Sequence, residues 1–226
     1  MKREIIFVTG TDTGVGKTVV SCGLLRFFSQ QGYKTLGLKP VASDAFLTAE
    51  GLRNQDALQL QEASNLKLPY AQINPFIFAE PVSPNFAAEK MKQTLSVGKI
   101  IERCTPALAS DAEVIVIEGA GGWLVPLNKR ESFAELASAF NAKVVMVVGM
   151  KLGCLNHSFL TEQAILKSGA QLVGWYANSL QQEMDLFKEN LRFLQEKLTC
   201  PLLDLVPSIS NDEKNRFFGI QLRYNI

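Results

Sequence analysis

The residues best suited to chemistry lie in one run, Gly10 to Thr18, which reads GTDTGVGKT. An apolar stretch, Ile5–Thr9, leads into it, and an amphipathic stretch follows. Glycines at such a turn let backbone N–H groups face inward around an anion, and a helix starting there adds partial positive charge. Lys17 can reach the β- and γ-phosphates of a nucleotide, and Thr18 offers a hydroxyl to magnesium. The spacing departs from the usual G-x-x-x-x-G-K-[ST] pattern, because five residues separate Gly10 from Gly16. The alternative, a plain strand-to-helix turn with a surface lysine, does not explain why G-K-T sits between these two elements.

Other polar residues stand where apolar runs stop. Lys39 follows Thr35–Leu38 and precedes Pro40, which keeps it extended. Its ammonium could face a γ-phosphate or simply solvent. Ser43 could bond a small anion or serve only as a turn residue. Glu118 follows VIVI and precedes Gly119–Gly122, and a carboxylate at the end of a buried strand suits magnesium. Such a glutamate has few structural uses. Asp56 opens the helix-period segment Gln55–Ala63, where it is either a capping carboxylate or a second metal ligand beside Thr18 and Glu118. Gly149 to His157, GMKLGCLNH, is a second glycine-rich lead into a helix, where a substrate carboxylate could dock. His157 reads as a helix-start or surface residue. Asn178, after Leu172–Ala177, could read a base edge or only make a turn. With one histidine in the chain and no cysteine paired to a base, a His-dependent hydrolytic triad lacks its parts.

Positioning these residues requires a sheet. Short runs apolar on both faces mark strands at Ile5–Thr9, Thr35–Leu38, Val114–Ile117, Val144–Val148, Leu172–Ala177 and Leu202–Val206. Helix-period segments alternate with them: Thr18–Gln31, closed by Gly32, then Gln55–Ala63, Val97–Ala109, Phe133–Phe140, Ser158–Lys167 and Glu183–Lys197. The pattern predicts an α/β fold of the P-loop NTPase type. It is a single doubly wound domain over residues 1–226, its mostly parallel sheet carrying helices on both faces. In such sheets ligands bind at the carboxyl ends of strands, and Gly10, Lys39, Glu118, Gly149 and Asn178 all fall on that rim. Leu68–Pro84 carries four prolines and reads as a surface excursion, and the polar tail after Pro207 reads as loop with a possible short strand near its end.

Composition sets the outer bounds. At 226 residues and 47% hydrophobic, the chain can bury one sizeable core. A formal net charge of +1 offers no basic face for nucleic acid. Four scattered cysteines suit a reducing, cytoplasmic setting. The apolar runs are too short for a membrane span, and the first of them is too short for a signal peptide.

Several blocks together resemble the dethiobiotin synthetase family: TGTDTGVGKT, GLKPVAS (Gly37–Ser43), GLRNQDA (Gly51–Ala57), NPFIFAEPVSP (Asn74–Pro84), VIEGAGGW (Val116–Trp123), VVGMKLGCLNH (Val147–His157) and GWYAN (Gly174–Asn178). They stand in the family's order and cover most of the chain up to Asn178. The resemblance implies the penultimate step of biotin synthesis, with ATP as co-substrate, Mg2+ as cofactor, and 7,8-diaminononanoate and CO2 as substrates. It also implies a homodimer with the substrate site at the subunit interface. By resemblance, Thr13, Lys17 and Lys39 are catalytic, and Thr18, Asp56 and Glu118 hold the metal. Nucleotide contacts would come from Thr13, Gly14, Val15, Gly16, Lys17 and Thr18, from Asp56, Glu118, Gly119, Ala120 and Gly121, and from Asn178 and Pro207 beside adenine. Substrate contacts would come from Ser43, Gly122, Gly153, Cys154, Leu155 and Asn156, the last four donated by the neighbouring subunit. Some relatives place glutamate where this chain has Gly14, and the match weakens after Asn178.

Two other functions are weighed against this one. A cobyrinate-type amidoligase carries an added glutaminase domain, for which the chain has no room. A switch ATPase or metal-cluster carrier needs an early lysine in the phosphate loop or a cysteine pair at a dimer seam. Asp12 occupies the lysine's place, and the cysteines are scattered.

Overall fold

The computed structural model describes residues 3–180, 184–207 and Tyr224. In chain order, β1 (Glu4–Gly10) leads through the phosphate loop into α1 (Lys17–Gln30), and β2 (Thr35–Leu38) follows. A compact insertion comes next: β3 (Val41–Ala42), β4 (Phe46–Thr48), β5 (Gly51–Arg53), α2 (Gln55–Ala63), α3 (Tyr70–Ile73), β6 (Phe76–Ile77) and α4 (Pro84–Lys90). The chain then alternates through α5 (Val97–Leu108), β7 (Val114–Glu118), α6 (Phe133–Ala139), β8 (Lys143–Met150), α7 (Cys154–Lys167), β9 (Leu172–Ser179), α8 (Phe187–Lys197) and β10 (Leu202–Val206).

The six long strands form one sheet in the order β10-β9-β8-β1-β7-β2, with every pairing parallel. Their sequences explain this. Alternate residues of each strand bury on opposite faces. Ile6, Val8, Val114, Val116, Val145 and Val147 pack with Val20, Leu24 and Leu25 of α1. Phe7, Ile115, Ile117, Val144, Met146 and Val148 pack with residues of α5, α6, α7 and α8 on the other face. Each such aliphatic side chain contributes about 1.5–3 kcal/mol on burial, and parallel strands buried on both faces need helices on both. The connection leaving β1 enters α1 on one face. Those leaving β7 and β8 enter α6 and α7 on the other, so a crevice opens at the carboxyl ends of these central strands.

Three expectations change. The segment Leu68–Pro84 is not a surface excursion: Ile73 and Phe78 are fully buried, and β6 pairs with β3. Its prolines punctuate short elements that fold back under the rim. The hairpin β4–β5 went unforeseen. Helix α7 begins at Cys154, a turn before Ser158, because Gly153 takes the left-handed conformation (φ 94°) and starts it there. Glu183 and the tail after Pro207, with its possible strand, lie outside the described residues. Among the described residues no helix is long and apolar enough to cross a membrane.

Candidate active site

The phosphate loop closes through two glycines in the left-handed region, Gly14 (φ 73°) and Gly16 (φ 91°). Only glycine adopts that conformation without strain. A Cβ on Gly10 would meet Val15 Cγ2 at 2.6 Å, so the first glycine is also needed for space. Val15 is fully buried and packs against the core beneath the loop. Lys17 is 7% exposed and its ammonium donates to the Asp12 carbonyl at 3.1 Å. Burial, and secondly the charge of Lys39, push the Lys17 ammonium down to about 8.

The strongest feature stands across from that loop. Lys39 is 4% exposed, and its Nζ lies 2.6 Å from Glu118 Oε1, 3.0 Å from Asp56 Oδ2 and 3.1 Å from the Gly119 carbonyl. The ammonium therefore points into the rim and not to solvent. Burial alone would depress it, but the Glu118 and Asp56 carboxylates outweigh burial and hold it above the ordinary lysine range. Thr18 Oγ1 donates to Glu118 Oε1 at 3.0 Å, which brings the loop's hydroxyl to the same carboxylate.

Asp56 turns out not to cap its helix. Asn54 is the N-cap of α2, its side chain accepting from the Ala57 N–H at 3.2 Å. Asp56 is left to face Lys39. Burial would raise its carboxyl, yet Lys39 and Thr18 hold it below the ordinary range.

Thr18, Asp56 and Glu118 thus form a set of hard oxygen donors. Glu118 Oε2 is buried without a hydrogen-bond partner, and burial pushes this carboxyl upward despite Lys39. A divalent cation would satisfy that oxygen and reverse the shift. Two carboxylates and a hydroxyl also match magnesium's habit of taking few protein ligands and completing its octahedron with water and phosphate oxygens. The residues fit the metal.

Ser43 lies near the same place. Its Oγ is buried without a partner, and its carbonyl accepts from Asn54 Nδ2 at 3.0 Å. The Gly119–Gly122 loop packs against the phosphate loop: a Cβ on Gly121 would stand 3.6 Å from Thr13 Oγ1, and one on Gly122 3.5 Å from the Gly10 carbonyl. Ala120 is half-buried between them.

The far half of the rim is built differently. Asn178 is buried, donates to the Val15 carbonyl at 2.8 Å and abuts Gly16, so its amide nitrogen braces the phosphate loop. Val206 pairs with Asn178, which puts the exposed Pro207 on the same edge. At the head of α7, Gly153 and Asn156 are exposed and Leu155 is half-buried. The Cys154 side chain is buried, and its N–H donates to the Lys151 carbonyl at 3.0 Å. His157 is half-buried within α7 and outside this cluster.

A contact missed in the sequence ties the two halves together. Lys151 Nζ lies 2.8 Å from Asp12 Oδ2, across 139 positions of chain. Asn54, Tyr70 and Asn74, behind Lys39, were missed as well. Only Asn54 carried a signal, as an Asn immediately before a helix.

A protein-family model described as "AAA domain" matches residues 4–215. An ATP-dependent dethiobiotin synthetase of Cellvibrio japonicus is 45% identical over 93% of this chain and 92% of its own length. One from Escherichia coli O157:H7 is 43% identical, covering 94% of each chain. The chain belongs to the dethiobiotin synthetase family. Among solved structures, a putative plasmid partition protein of Borrelia burgdorferi bound to AMPPNP superposes with a TM-score of 0.56 over 100% of this chain and 92% of that one, at 12% identity. That likeness is to the fold. In this chain the phosphate-loop Asp12 carboxylate is held by Lys151.

Proposed function

We propose that this chain closes the urea ring of dethiobiotin from 7,8-diaminononanoate, CO2 and ATP, as a cytoplasmic homodimer whose substrate site lies at the subunit interface. The observation that carries the reading is the Lys39 ammonium, buried against Glu118, Asp56 and the Gly119 carbonyl on the phosphate-loop rim. Family membership supplies the reaction's name.

One substrate amine adds to CO2 and loses a proton, giving a carbamate. Ser43 Oγ, buried and without a partner, suits a carbamate oxygen. The carbamate oxygen then attacks the γ-phosphorus of ATP and the bond to ADP breaks. Phosphoryl transfer needs charge stabilisation and alignment more than covalent help, and Lys17 and Lys39 provide two positive charges there. Thr18, Asp56 and Glu118 would hold Mg2+, which when bound neutralises charge on the phosphate oxygens. The second amine attacks the carbonyl carbon of the carbamic-phosphoric anhydride, loses its proton and expels phosphate as the ring closes.

The backbone of Thr13–Lys17 would cradle the phosphates, and Asn178 with Pro207 would lie beside adenine. Gly119, Ala120 and Gly121 would meet phosphate, and Gly122 the substrate amine. Gly153, Cys154, Leu155 and Asn156 of the neighbouring subunit would receive the carboxylate. Leu152 and Leu124, 96% and 64% exposed near these loops, are apolar surface that a second subunit would cover.

The test mixes protein, ATP, magnesium and bicarbonate with and without the diamine and follows phosphate. Release should require the diamine and stop when EDTA removes magnesium. Equal release without the diamine would mark a generic ATPase and overturn the reading.

A further inference from the structure

We infer that Tyr70 is a positioning residue for this reaction, its single hydroxyl joining the segment that carries Lys39 to the segment that carries Ser43 and Asp56. The inference rests on the function proposed above.

Lys39 is held at both of its main-chain groups by the turn after α3. Its N–H donates to the Ile73 carbonyl at 2.9 Å, and its carbonyl accepts from Asn74 Nδ2 at 2.6 Å. The same Asn74 amide also donates to the Phe76 carbonyl at 3.2 Å, and the Phe76 N–H donates to the Pro40 carbonyl at 3.1 Å. The lysine's backbone is thus fixed by residues 73–76, whose role in holding it no local pattern in the sequence shows.

Ser43 and Asp56 hang on a different residue. Asn54 donates its side-chain amide to the Ser43 carbonyl at 3.0 Å and accepts the Ala57 N–H at 3.2 Å, so it sets both the serine loop and the first turn of α2. Asn54 and Asn74 are 6% and 2% exposed. Neither touches the other in any hydrogen bond described. Tyr70 connects them: its hydroxyl accepts from the Asn54 N–H at 2.7 Å and donates to Asn74 Oδ1 at 3.0 Å. The Arg53 guanidinium, 4.4 Å from the ring centroid, covers the ring's face and keeps it in place.

The consequence is geometric. Lys39 and Asp56 must meet at 3.0 Å although they come from two segments with separate backbone supports. A hydroxyl that bonds both supports fixes their spacing before any ligand arrives. The phosphate loop is outside this arrangement, because it is supported by β1, α1, Asn178 and Lys151. Loss of the hydroxyl should therefore disturb Lys39, Ser43 and the Asp56 metal ligand at the transferring end of the site more than the backbone cradle of the phosphates.

The test is Tyr70→Phe, which keeps the ring and the cation above it. Expected is a fall in kcat of roughly 10–100-fold, as for a small misplacement of catalytic groups, with a smaller change in KM for ATP. Amide hydrogen exchange should quicken at Asn54, Lys39 and Phe76 while Thr9 to Val20 keep wild-type protection. Thr199→Val serves as control, since it removes another half-buried hydroxyl bond, 2.9 Å to Glu162, at the opposite rim. It should leave kcat intact at a similar stability loss. Wild-type kcat in Tyr70→Phe, wild-type exchange at Asn54 and Lys39, or an equal kcat loss in Thr199→Val would each overturn the inference. If the wild-type protein releases no diamine-dependent phosphate, the functional reading fails, and the exchange data alone decide whether the hydroxyl holds the two segments together.

Discussion

The two halves of the sheet's rim hold their polar groups by opposite means. Around β1, β7 and β2, charged side chains are buried against one another: Lys17, Lys39 and Glu118 are 7%, 4% and 1% exposed. Around β8, β9 and β10, Asn178 is buried against the phosphate loop, and the other candidate contacts Gly153, Asn156 and Pro207 are exposed. Charges fixed in a dry environment act strongly and need no rearrangement when negative charge develops. Open backbone groups act weakly until something covers them. The first half is thus suited to chemistry, and the second to docking the ends of the ligands.

The sharpest way to break this contrast is Lys39→Ala. On the proposed function, removing this buried ammonium should cost on the order of 10²–10³ in kcat, measured as diamine-dependent phosphate release. It also leaves Glu118 buried without its partner, which costs about 3–5 kcal/mol in other buried pairs, while Asp56, 40% exposed, adds less because water screens it. The variant's melting temperature should accordingly drop without magnesium and recover when magnesium is added. Near-normal turnover would remove the chemical role from the buried half.

A second perturbation sits where the halves touch. A Cβ on Gly16 would lie 2.0 Å from Asn178 Nδ2, and Gly16 is held at φ +91°. Gly16→Ala therefore carries a clash and about 1–2 kcal/mol of backbone strain. The strain, present with and without nucleotide, should lower the melting temperature, and nucleotide affinity, read by calorimetry, should fall because the clash displaces the loop. Adding Asn178→Ala should relieve the clash and leave the strain, so the double variant should bind better than Gly16→Ala alone. If the second substitution restores nothing, Asn178 is not what crowds the loop.

The same contrast explains what was readable in the sequence. The six strands were legible because each is apolar on both faces, and Lys39 and Glu118 were legible because each is a charge that ends such a run. Asp56 was ambiguous, since first-turn aspartates often serve the helix alone; the structure assigns capping to Asn54 instead. Tyr70 and Asn74 could not be found, because their partners lie 16 and 35 positions away and no local pattern encodes such contacts. The β4–β5 hairpin, only three residues per strand, was too short to show alternation.

The smallest effect tests the ion pair between the phosphate loop and the head of α7, which crosses between the halves at the rim. Asp12 and Lys151 are each 42% exposed, and pairs so accessible to water and salt contribute at most about 1 kcal/mol. The Asp12 carboxyl is held below its ordinary value of 3.8, first by the Lys151 hydrogen bond, with burial opposing. A depressed carboxyl stabilises the fold above its unfolded pKa and loses that contribution as pH falls through the folded one. Lys151→Ala should therefore lower stability slightly at neutral pH and become indistinguishable from wild type in acid, with thermal melts at several pH values as the measurement. Raised salt should shrink the neutral-pH difference as well. A difference that persists in acid would mean that Lys151 acts by packing and not by charge. In that case the link between the phosphate loop and the head of α7 would be steric, and the two halves would be less separable than their burial suggests.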